Sequence, residues 1–524
     1  MSSTFLAFNV ASRAMEASQA TINVTGNNIA NINTEGYSRQ RVDINAITSG
    51  GGIQKYAAPQ ISTGMGAKAV GTSQMRDPFL DARFRSQNAE ASQYDKMITG
   101  LSDLENIFDE AQTDGLQTEL SNFIDTLQTF SETPTSVDIA QVTRTEAQKV
   151  TQMMNMYANQ IKDVRKQQVD DLTVVVSNDV NAAVKSIANL NDQIRTEEIY
   201  GNIPNDLYDQ RNSLIDDLSG IANIKVNRTP EKISEDLTVD RLSISLVDKN
   251  TGNSIGLVDN DKYNTVELVD TGDKVELFLK ETGSVDKDIT NLFSDGSVKG
   301  YLNLINGNGS FADPSIKEND SKGIPYYQKT MDIFASKFAE VFNKINSIVD
   351  PADPALKPLF TNTTGGIGST ITAANIQVSQ AWLDNPSYIS TTNNPSDPTD
   401  LLDPTGTPGS ADNVLRMIST MNVDQEFEGV PGDPLTTTFK GTFNEYMTGI
   451  LGDVSMDVEL NTNFASTSKN VLDSVSTSRE SVSGVNLNEE GTNLMAYQKV
   501  YNAAIRYFNV LDENLNTIIN TMGQ

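Results

Sequence analysis

The sequence predicts a mainly α-helical protein with an inserted β domain, and three patterns along the chain support that prediction. Apolar residues near both ends recur at alternating spacings of three and four, as in helices that pair in coiled coils. The segment 135–200 contains neither glycine nor proline, which predicts one or two very long helices. From about 226 to 300 the apolar period changes to two, which indicates β-strands.

The C-terminal residues carry the most regular of these patterns. Their apolar side chains form one stripe, which we call the C-terminal seam, and every step along it is 3 or 4 residues. Such a stripe needs a partner helix, because it otherwise stays in contact with water. The seam consists of Leu494, Tyr497, Tyr501, Ala504, Phe508, Leu511, Leu515, Ile518 and Met522.

A weaker stripe of the same kind lies at the N-terminus, where polar residues and a glycine interrupt it. The helix is expected to begin near Ser2 or Ser3, which are good N-cap residues, and to end near Asn31 or Asn33, before Gly36. Two such helices at opposite ends of one chain favour an assembly module over a helix that docks only on its own domain. The stripe consists of Phe5, Phe8, Met15, Ile22 and Ile29.

The long helical segment is expected to change register part of the way along. An apolar stripe runs from Val150 to Val164, Gln168 and Asp171 break it, and a shifted stripe resumes at Val176. Such a shift locally rewinds a helical bundle. This part of the chain is therefore predicted to be an elongated helical rod.

The inserted β domain is predicted from alternation and turn residues. Leu242, Ile244 and Leu246 alternate with polar neighbours, and the same alternation recurs over 275–280. The Asp-Thr-Gly-Asp sequence at 270–273 predicts a hairpin turn between two strands.

Regular helix is expected to return after the β domain, over 324–349. The following segment, 351–411, is too rich in proline for helix, although 371–372 and 375–378 could add short strands to the inserted domain. Helix is then expected to resume over 412–484.

The resulting domain organisation is nested, with both termini at one end of an elongated molecule. A terminal coiled-coil domain is expected to lie at the base, a helical rod above it and an antiparallel β-rich domain outermost. The predicted bounds are 1–48 with 485–524 for the terminal domain, 49–225 with 324–350 and 412–484 for the rod, and 226–323 with 351–411 for the outer domain.

Composition excludes several classes of function. At 57.0 kDa the chain is too long for one core, and a formal charge of −30 argues against partners such as nucleic acid or an anionic membrane. No apolar run of 18 residues is present, and the N-terminus lacks the basic and apolar regions of a conventional secretory signal. The absence of cysteine and histidine removes thiol and Ser-His-Asp catalysis and most zinc sites. We therefore predict no catalytic residue, no cofactor and no metal site.

The segment that follows the N-terminal stripe carries a specific motif, TGNNIANINTEGYSRQ, from Thr25 to Gln40. This string resembles the signature of the bacterial flagellar axial proteins, and its GYSRQ ending is more similar to hook-associated members than to rod or hook subunits. Further matches follow at 64–66, 76–83, 205–211 and 483–501. The motif residues singled out by the resemblance are Asn27, Asn28, Asn31, Asn33, Gly36, Tyr37, Ser38, Arg39 and Gln40.

The resemblance implies an extracellular structural protein at the junction between flagellar hook and filament, built by polymerisation of its terminal helices. It implies export through the flagellar type III system and four kinds of partner: further copies of itself, the hook protein, a second junction protein, and an export chaperone that binds the C-terminal helix. Because the apolar seam of an isolated chain would remain exposed to water, both termini are expected to be largely disordered in the free monomer and to fold as subunits stack.

Two alternative functions remain open at this point. One is another axial subunit, a hook or distal rod protein, although the long helices over 135–200 argue against a hook subunit. The other is a surface hydrolase or adhesin carried by the outer β domain, since carboxylate pairs are assembled in space and are not visible in sequence. Glycan turnover by the purified protein would favour that alternative.

Overall fold

Long helices run through the molecule, and the β-strands attach to them as small antiparallel sheets. The computed structural model describes residues 2–47, 64–109, 115–234, 238–280, 286–313, 319–347, 357–391, 410–429 and 437–522. The helices are α1 (Ser2–Ala30), α2 (Pro78–Phe108), α3 (Leu116–Glu132), α4 (Val137–Val174), α5 (Asn181–Ile199), α6 (Asn205–Ile221), α7 (Ser297–Asn306), α8 (Ile324–Asn346), α9 (Gln380–Asp384), α10 (Asp412–Thr420), α11 (Phe443–Ser483) and α12 (Leu487–Met522). The strands are β1 (Gln40–Ala46), β2 (Ala67–Gln74), β3 (Ile224–Lys232), β4 (Thr238–Val247), β5 (Ser254–Asp259), β6 (Lys262–Tyr263), β7 (Thr265–Asp270), β8 (Val275–Lys280), β9 (Lys287–Asp288), β10 (Phe360–Asn362), β11 (Ile376–Val378), β12 (Gln425–Glu428) and β13 (Thr437–Gly441).

The two terminal helices pack against one another, as the sequence predicts. The rings of Phe8 on α1 and Phe508 on α12 meet edge to face with 5.0 Å between their centroids. Helix α1 ends at Ala30, slightly before the predicted end, and the chain turns at Gly36, whose φ of 76° favours glycine. The terminal helical pair is therefore present within a single chain.

An antiparallel ribbon of β1 and β2 follows α1 and was not expected from the sequence. Gln40 pairs with Gln74 at one end and Ala46 with Ala67 at the other, and the ribbon lies against α1. Strand β2 carries mostly small or polar residues, so it lacks the alternation of large apolar side chains that marks other strands.

A first hydrophobic core joins α3, the first part of α4, α8 and the start of α11. Its centre is aromatic: the Phe338 ring lies 4.7 Å from that of Phe342 and 5.0 Å from that of Phe360. The buried Trp382 packs edge to face on Phe360, with 6.0 Å between centroids. Helix α8 thus lies where the sequence predicts a helix, with its Phe-rich face inside this core.

A second hydrophobic core joins the end of α4, α5 and α6 to strands β4, β5, β7 and β8. Leu242, Ile244 and Leu246 of β4 are buried in alternation, as predicted, and β8 does the same over 275–280. The hairpin turn predicted at 270–273 joins β7 to β8.

The predicted register change in the long helix is a six-residue π-helical segment, Val175–Val180, between α4 and α5. Residues up to Ile161 pack in the first core, whereas those from Val169 onward pack in the second. The wider π turn absorbs an extra residue and so lets one continuous helix serve both cores.

The helix expected over 412–484 is present at both ends, as α10 and α11, but the prediction of continuous helix between them is wrong. A hairpin of β12 and β13 separates α10 from α11, because Phe427 stacks on Tyr446 with ring centroids 4.0 Å apart and folds the hairpin onto the start of α11. A capping box between Thr442 and Glu445 then starts α11.

The strands of the proline-rich segment pack in the first core, not in the inserted β domain as predicted. Strands β10 and β11 pair only with each other within the described residues, and both pack in the first core, β10 against α8 and β11 against α4. They do not extend the sheets of the second core. The three-domain division itself remains a prediction.

Candidate assembly interface

The C-terminal seam faces α1 along most of α12. Ala504 is buried, and the other seam positions from Leu494 to Leu515 are half-buried while their neighbours are mostly exposed. Ile518 is 46% exposed, so the contact weakens towards the end of the helix. The side chains of Phe5 and Met522 lie outside the described residues. The seam therefore pairs, within one chain, with the other terminus.

The most deeply buried positions of α1 are small or polar residues rather than the predicted large ones. Phe8, Met15, Ile22 and Ile29 are only half-buried. Small side chains let another backbone approach closely. Their recurrence at heptad spacing is a signal, but it is not seen when only large apolar residues are considered. The buried positions are Ala11, Ala17, Ser18, Thr21, Thr25 and Asn28.

One buried amide organises the motif that follows α1. Asn28 Nδ2 donates to the carbonyl of Gln40 at 2.9 Å and to Glu490 Oε2 at 3.2 Å. Its Oδ1 accepts from the Gln40 N–H at 3.0 Å and from the Tyr37 hydroxyl at 2.8 Å. Asn28 thereby closes the loop 28–40 and binds the first turn of α12 with the same side chain.

Arg39 adds a charged link to the same turn. Its guanidinium pairs with Glu489 at 2.9 Å and with the almost completely buried Glu490 at 2.8 Å. Its backbone N–H donates to the carbonyl of Ser483 at 2.8 Å, at the end of α11. One motif residue therefore holds both C-terminal helices.

A second layer connects this loop to the rod through Asp209 of α6. The Ser38 N–H donates to Asp209 Oδ2 at 3.2 Å, and Gln74 Nε2 donates to Asp209 Oδ1 at 2.9 Å. Arg76 binds Asp81 at 2.8 Å and donates to the Ser38 hydroxyl at 3.1 Å. Burial raises the pKa of Asp209 above its usual range, and burial together with Asp209 raises the pKa of Tyr37 to about 12.

A third layer lies around Asp216, further along α6. Arg85 pairs with one carboxylate oxygen at 2.7 Å and Arg479 with the other at 2.6 Å. The Arg479 guanidinium also lies 3.9 Å above the Phe84 ring. We call the three layers together the junction network: Asn28, Tyr37, Ser38, Arg39, Gln74, Arg76, Asp81, Arg85, Asp209, Asp216, Arg479, Glu489 and Glu490.

The junction network brings together motif segments that are hundreds of residues apart in sequence. Tyr37, Ser38, Arg39 and Gln40 all take part in it or contact it. Asn27 reaches the network through a 3.5 Å hydrogen bond from its Nδ2 to the Tyr37 hydroxyl, and the Asn31 side chain donates to Asn27. Asn33 is exposed. Asp216 and Arg479 were missed, because they lie outside the matching segments and an ion pair between distant helices leaves no local pattern.

The contacts of this region are hydrogen bonds, ion pairs and ring contacts that join distant segments of the chain. Across the part of the chain that the structure describes, no group of three or more His, Cys, Asp or Glu side chains is placed to hold a metal ion. None of the described helices is both long and apolar enough to cross a bilayer.

Comparison with known proteins identifies the class of protein to which this chain belongs. The family model described as "Flagella basal body rod protein" matches 8–37, and "Flagellar basal body rod FlgEFG protein C-terminal" matches 478–521. These ranges cover most of α1 with part of its motif and nearly all of α12. The chain is thus an axial structural protein of the bacterial flagellum, an assembly outside the cell.

The rest of the chain identifies the particular family. The model "Flagellar hook-associated protein FlgK helical domain" matches 101–348. Relatives named flagellar hook-associated protein 1 are similar over nearly their whole length: that of Bacillus subtilis (strain 168) is 29% identical over 100% of this chain and 99% of the relative. That of Escherichia coli (strain K12) is 23% identical over 98% and 99%. The chain belongs to the flagellar hook-associated protein 1 family, whose members are structural proteins.

A solved structure supports the fold independently. The flagellar hook junction protein FlgK from Burkholderia pseudomallei superimposes with a TM-score of 0.56 at 13% identity, over 76% of this chain and 100% of that one. At this identity the likeness concerns the fold alone.

Proposed function

We propose that this chain joins the flagellar hook to the filament as a non-catalytic structural subunit that polymerises through its terminal helices. The observation that carries the proposal is the junction network, which fastens the paired ends α1 and α12 to the rod at one end of the molecule. A subunit built this way transmits force from its terminal helices to α6 and α11, since ion pairs and buried hydrogen bonds link these elements.

The partners proposed for this chain are further copies of itself, the flagellar hook protein and a second hook–filament junction protein. Export by the flagellar type III system and an export chaperone on the C-terminal helix complete the proposal. Full-length similarity to hook-associated protein 1 of other bacteria supports this set. The long, half-exposed seam of α12 supports a chaperone, because such a helix needs cover before assembly.

The motif residues and both seams are proposed as the assembly region. Phe8 and Phe508 lie at the centre of the contact between α1 and α12, and Asn28 and Arg39 set the position of that pair on the rod. We propose that both ends fold on assembly. Helix α1 makes most of the contacts that cover the α12 seam, so each of the two helices depends on the other for its stability.

Electron microscopy of cells lacking the gene tests the proposed position in the flagellum. We expect intact hooks, no filaments, and filament subunits lost to the medium, with all three reversed by the wild-type gene. Normal filaments in the deletion strain would refute the junction role.

The chaperone is tested separately by co-purification. Deleting 487–524 should abolish a complex with an export chaperone, whereas deleting the N-terminal residues 2–30 should leave it intact. A complex that survives the first deletion would place the chaperone site elsewhere.

A further inference from the structure

Helix α12 carries a second apolar stripe beside the C-terminal seam. Its members are separated by steps of 4, 3, 4 and 3 residues, and each stands one residue before a seam position. Because successive helical residues are about 100° apart, the stripe occupies the face next to the seam. Val500 is 52% exposed, Tyr507 48% and Val510 52%. The stripe, which we call the outer stripe, consists of Ala496, Val500, Ala503, Tyr507 and Val510.

Among the α1 side chains that the structure describes, 6–30, the outer stripe has no counterpart. The exposed face of α1 is polar and includes Asn9, Glu16, Gln19 and Asn23. The terminal pair is therefore asymmetric, with its uncovered apolar surface on α12. Within the described residues the seam is covered by α1, whereas the outer stripe faces outward along its length.

Positive charge borders the outer stripe on the side away from the seam. Lys499 and Arg506 each precede a stripe residue, are exposed, and form no salt bridge among the described residues. No acidic residue occurs between Gly491 and Leu511, although the whole chain has a formal charge of −30. An apolar centre with a charged rim is the usual composition of a protein interface.

The positive rim and the position of the outer stripe indicate which partner it binds. The cationic rim is complementary to an acidic protein surface, and this chain, with pI near 4.3, presents such a surface itself. The stripe is also continuous with the contact between α1 and α12, so a neighbour bound there would extend the same helical packing. A head-to-tail contact between an α12 face and a different surface of the next copy generates a ring if the rotation closes and an open helical polymer if it does not.

We infer that the outer stripe, with Lys499 and Arg506, is the surface on which a second copy of this chain docks, and that the C-terminal seam serves the contact within one chain. This inference rests on the proposed function, which requires copies to polymerise. It separates two roles that one helix carries on adjacent faces.

The test is site-specific photo-crosslinking in assembled flagella of otherwise wild-type cells. A photoreactive phenylalanine analogue replaces Tyr507 in one strain and Asn509 in a matched control strain. Asn509 is also exposed but lies on the opposite side of α12. We expect the Tyr507 probe to give a product of two copies of this chain, at least about tenfold more abundant than from the Asn509 probe.

A product between Tyr507 and a different protein, or only within one chain, would overturn the inference. The deletion strain tests the junction role without involving the outer stripe, so the two proposals fail separately. Equal two-copy products from both probes would also overturn it, because contact would not be confined to the stripe.

A second arm tests the cationic rim. The double change K499E with R506E should lower the two-copy product from the Tyr507 probe by about tenfold, because like charges then face each other. The charge-retaining pair K499R with R506K should preserve the product. Undiminished crosslinking after charge reversal would show that the partner surface is not acidic and would overturn the choice of partner.

Discussion

At the scale of single residues, Asn28 has the most consequential position in the chain. Its amide makes four hydrogen bonds, to Gln40, Tyr37 and Glu490, in a site that is 1% exposed. A buried polar group whose partner is removed costs more than the hydrogen bond itself contributes, because the group left behind is desolvated. Small asparagine-rich turns are common, but few of them close a loop and bind a distant helix together.

Asn28→Ala is expected to destabilise the contact between the terminal pair and the rod by about 2–3 kcal/mol, since Glu490 and the Gln40 backbone lose a buried partner. Hydrogen exchange over 25–40 and 487–495 in assembled flagella, measured at increasing denaturant concentration, would measure the loss. Asn33→Ala, at an exposed position of the same motif, should change stability by less than about 0.5 kcal/mol. Equal effects of the two substitutions would contradict the role given to Asn28.

Asp332 offers a pH-dependent test of the first core. Burial raises its pKa to about 6, against an ordinary value of 3.8, and the Ala373 N–H donates to it at 2.8 Å. Because the folded pKa is raised, the folded chain holds the proton more tightly, and stability falls as the pH rises from about 4 to 6. Asp332→Asn keeps an acceptor and carries no charge.

We therefore expect Asp332→Asn to raise the free energy of unfolding on the order of 1–2 kcal/mol at pH 8, with the gain shrinking as the pH falls towards 4. Urea denaturation of both proteins across this range measures it. A gain independent of pH would show that ionisation of Asp332 is not the cause.

At the scale of elements, α12 and the long central helix show how one helix serves two surfaces. Helix α12 carries the seam and the outer stripe on adjacent faces. The central helix carries a buried apolar stripe in which three successive steps are four residues long. They run from Leu172 through Val176 and Val180 to Val184. That run matches the wider turn of the π segment between the two cores.

Phe508→Asp tests the seam as an element. A carboxylate facing Phe8 removes the apolar contact, so we expect the rod to stay folded while incorporation into flagella stops. Circular dichroism checks the folding of the rest of the chain, and electron microscopy checks for filaments. Asn509→Asp, an exposed neighbour, should leave filaments normal; normal filaments on the Phe508 variant would refute the assignment of the seam.

Removal of one residue tests the π segment. Deleting Asn178, which is exposed in the wide turn, should convert the segment to regular α-helix with both flanking faces kept in place. Deleting Lys162, exposed in regular α-helix, should instead rotate everything beyond it by about 100° and abolish cooperative unfolding. Thermal unfolding monitored by circular dichroism separates these outcomes, and equal damage from both deletions would contradict the explanation.

At the scale of the whole molecule, ion pairs join parts of the chain that are far apart in sequence. Arg39 from the first tenth of the chain binds Glu489 and Glu490 near its end, and Asp216 from the middle binds Arg479. Among the described side chains of α12, Ala504 is the only fully buried apolar one, so the terminal pair is expected to be the least stable part of a free monomer.

Hydrogen exchange on dilute monomer tests this. We expect weak protection over 494–518, because its seam depends mainly on α1, and strong protection over 137–161, which packs in the first core. In assembled flagella both should be protected. Strong protection of 494–518 in dilute monomer would show that the ends do not fold on assembly.

Sequence periodicity alone determined the terminal helices, the long helix with its register change, α8, and the strands around Leu242 and Leu277, because in each case consecutive residues share one face. Only the tertiary structure decided which elements meet. The β1–β2 ribbon, the hairpin that stacks Phe427 on Tyr446, the pairing of β10 with β11, and the ion pairs of Asp216 all depend on residues distant in sequence. Their stability comes from contacts made after the chain has folded back, and such contacts impose no period on the sequence.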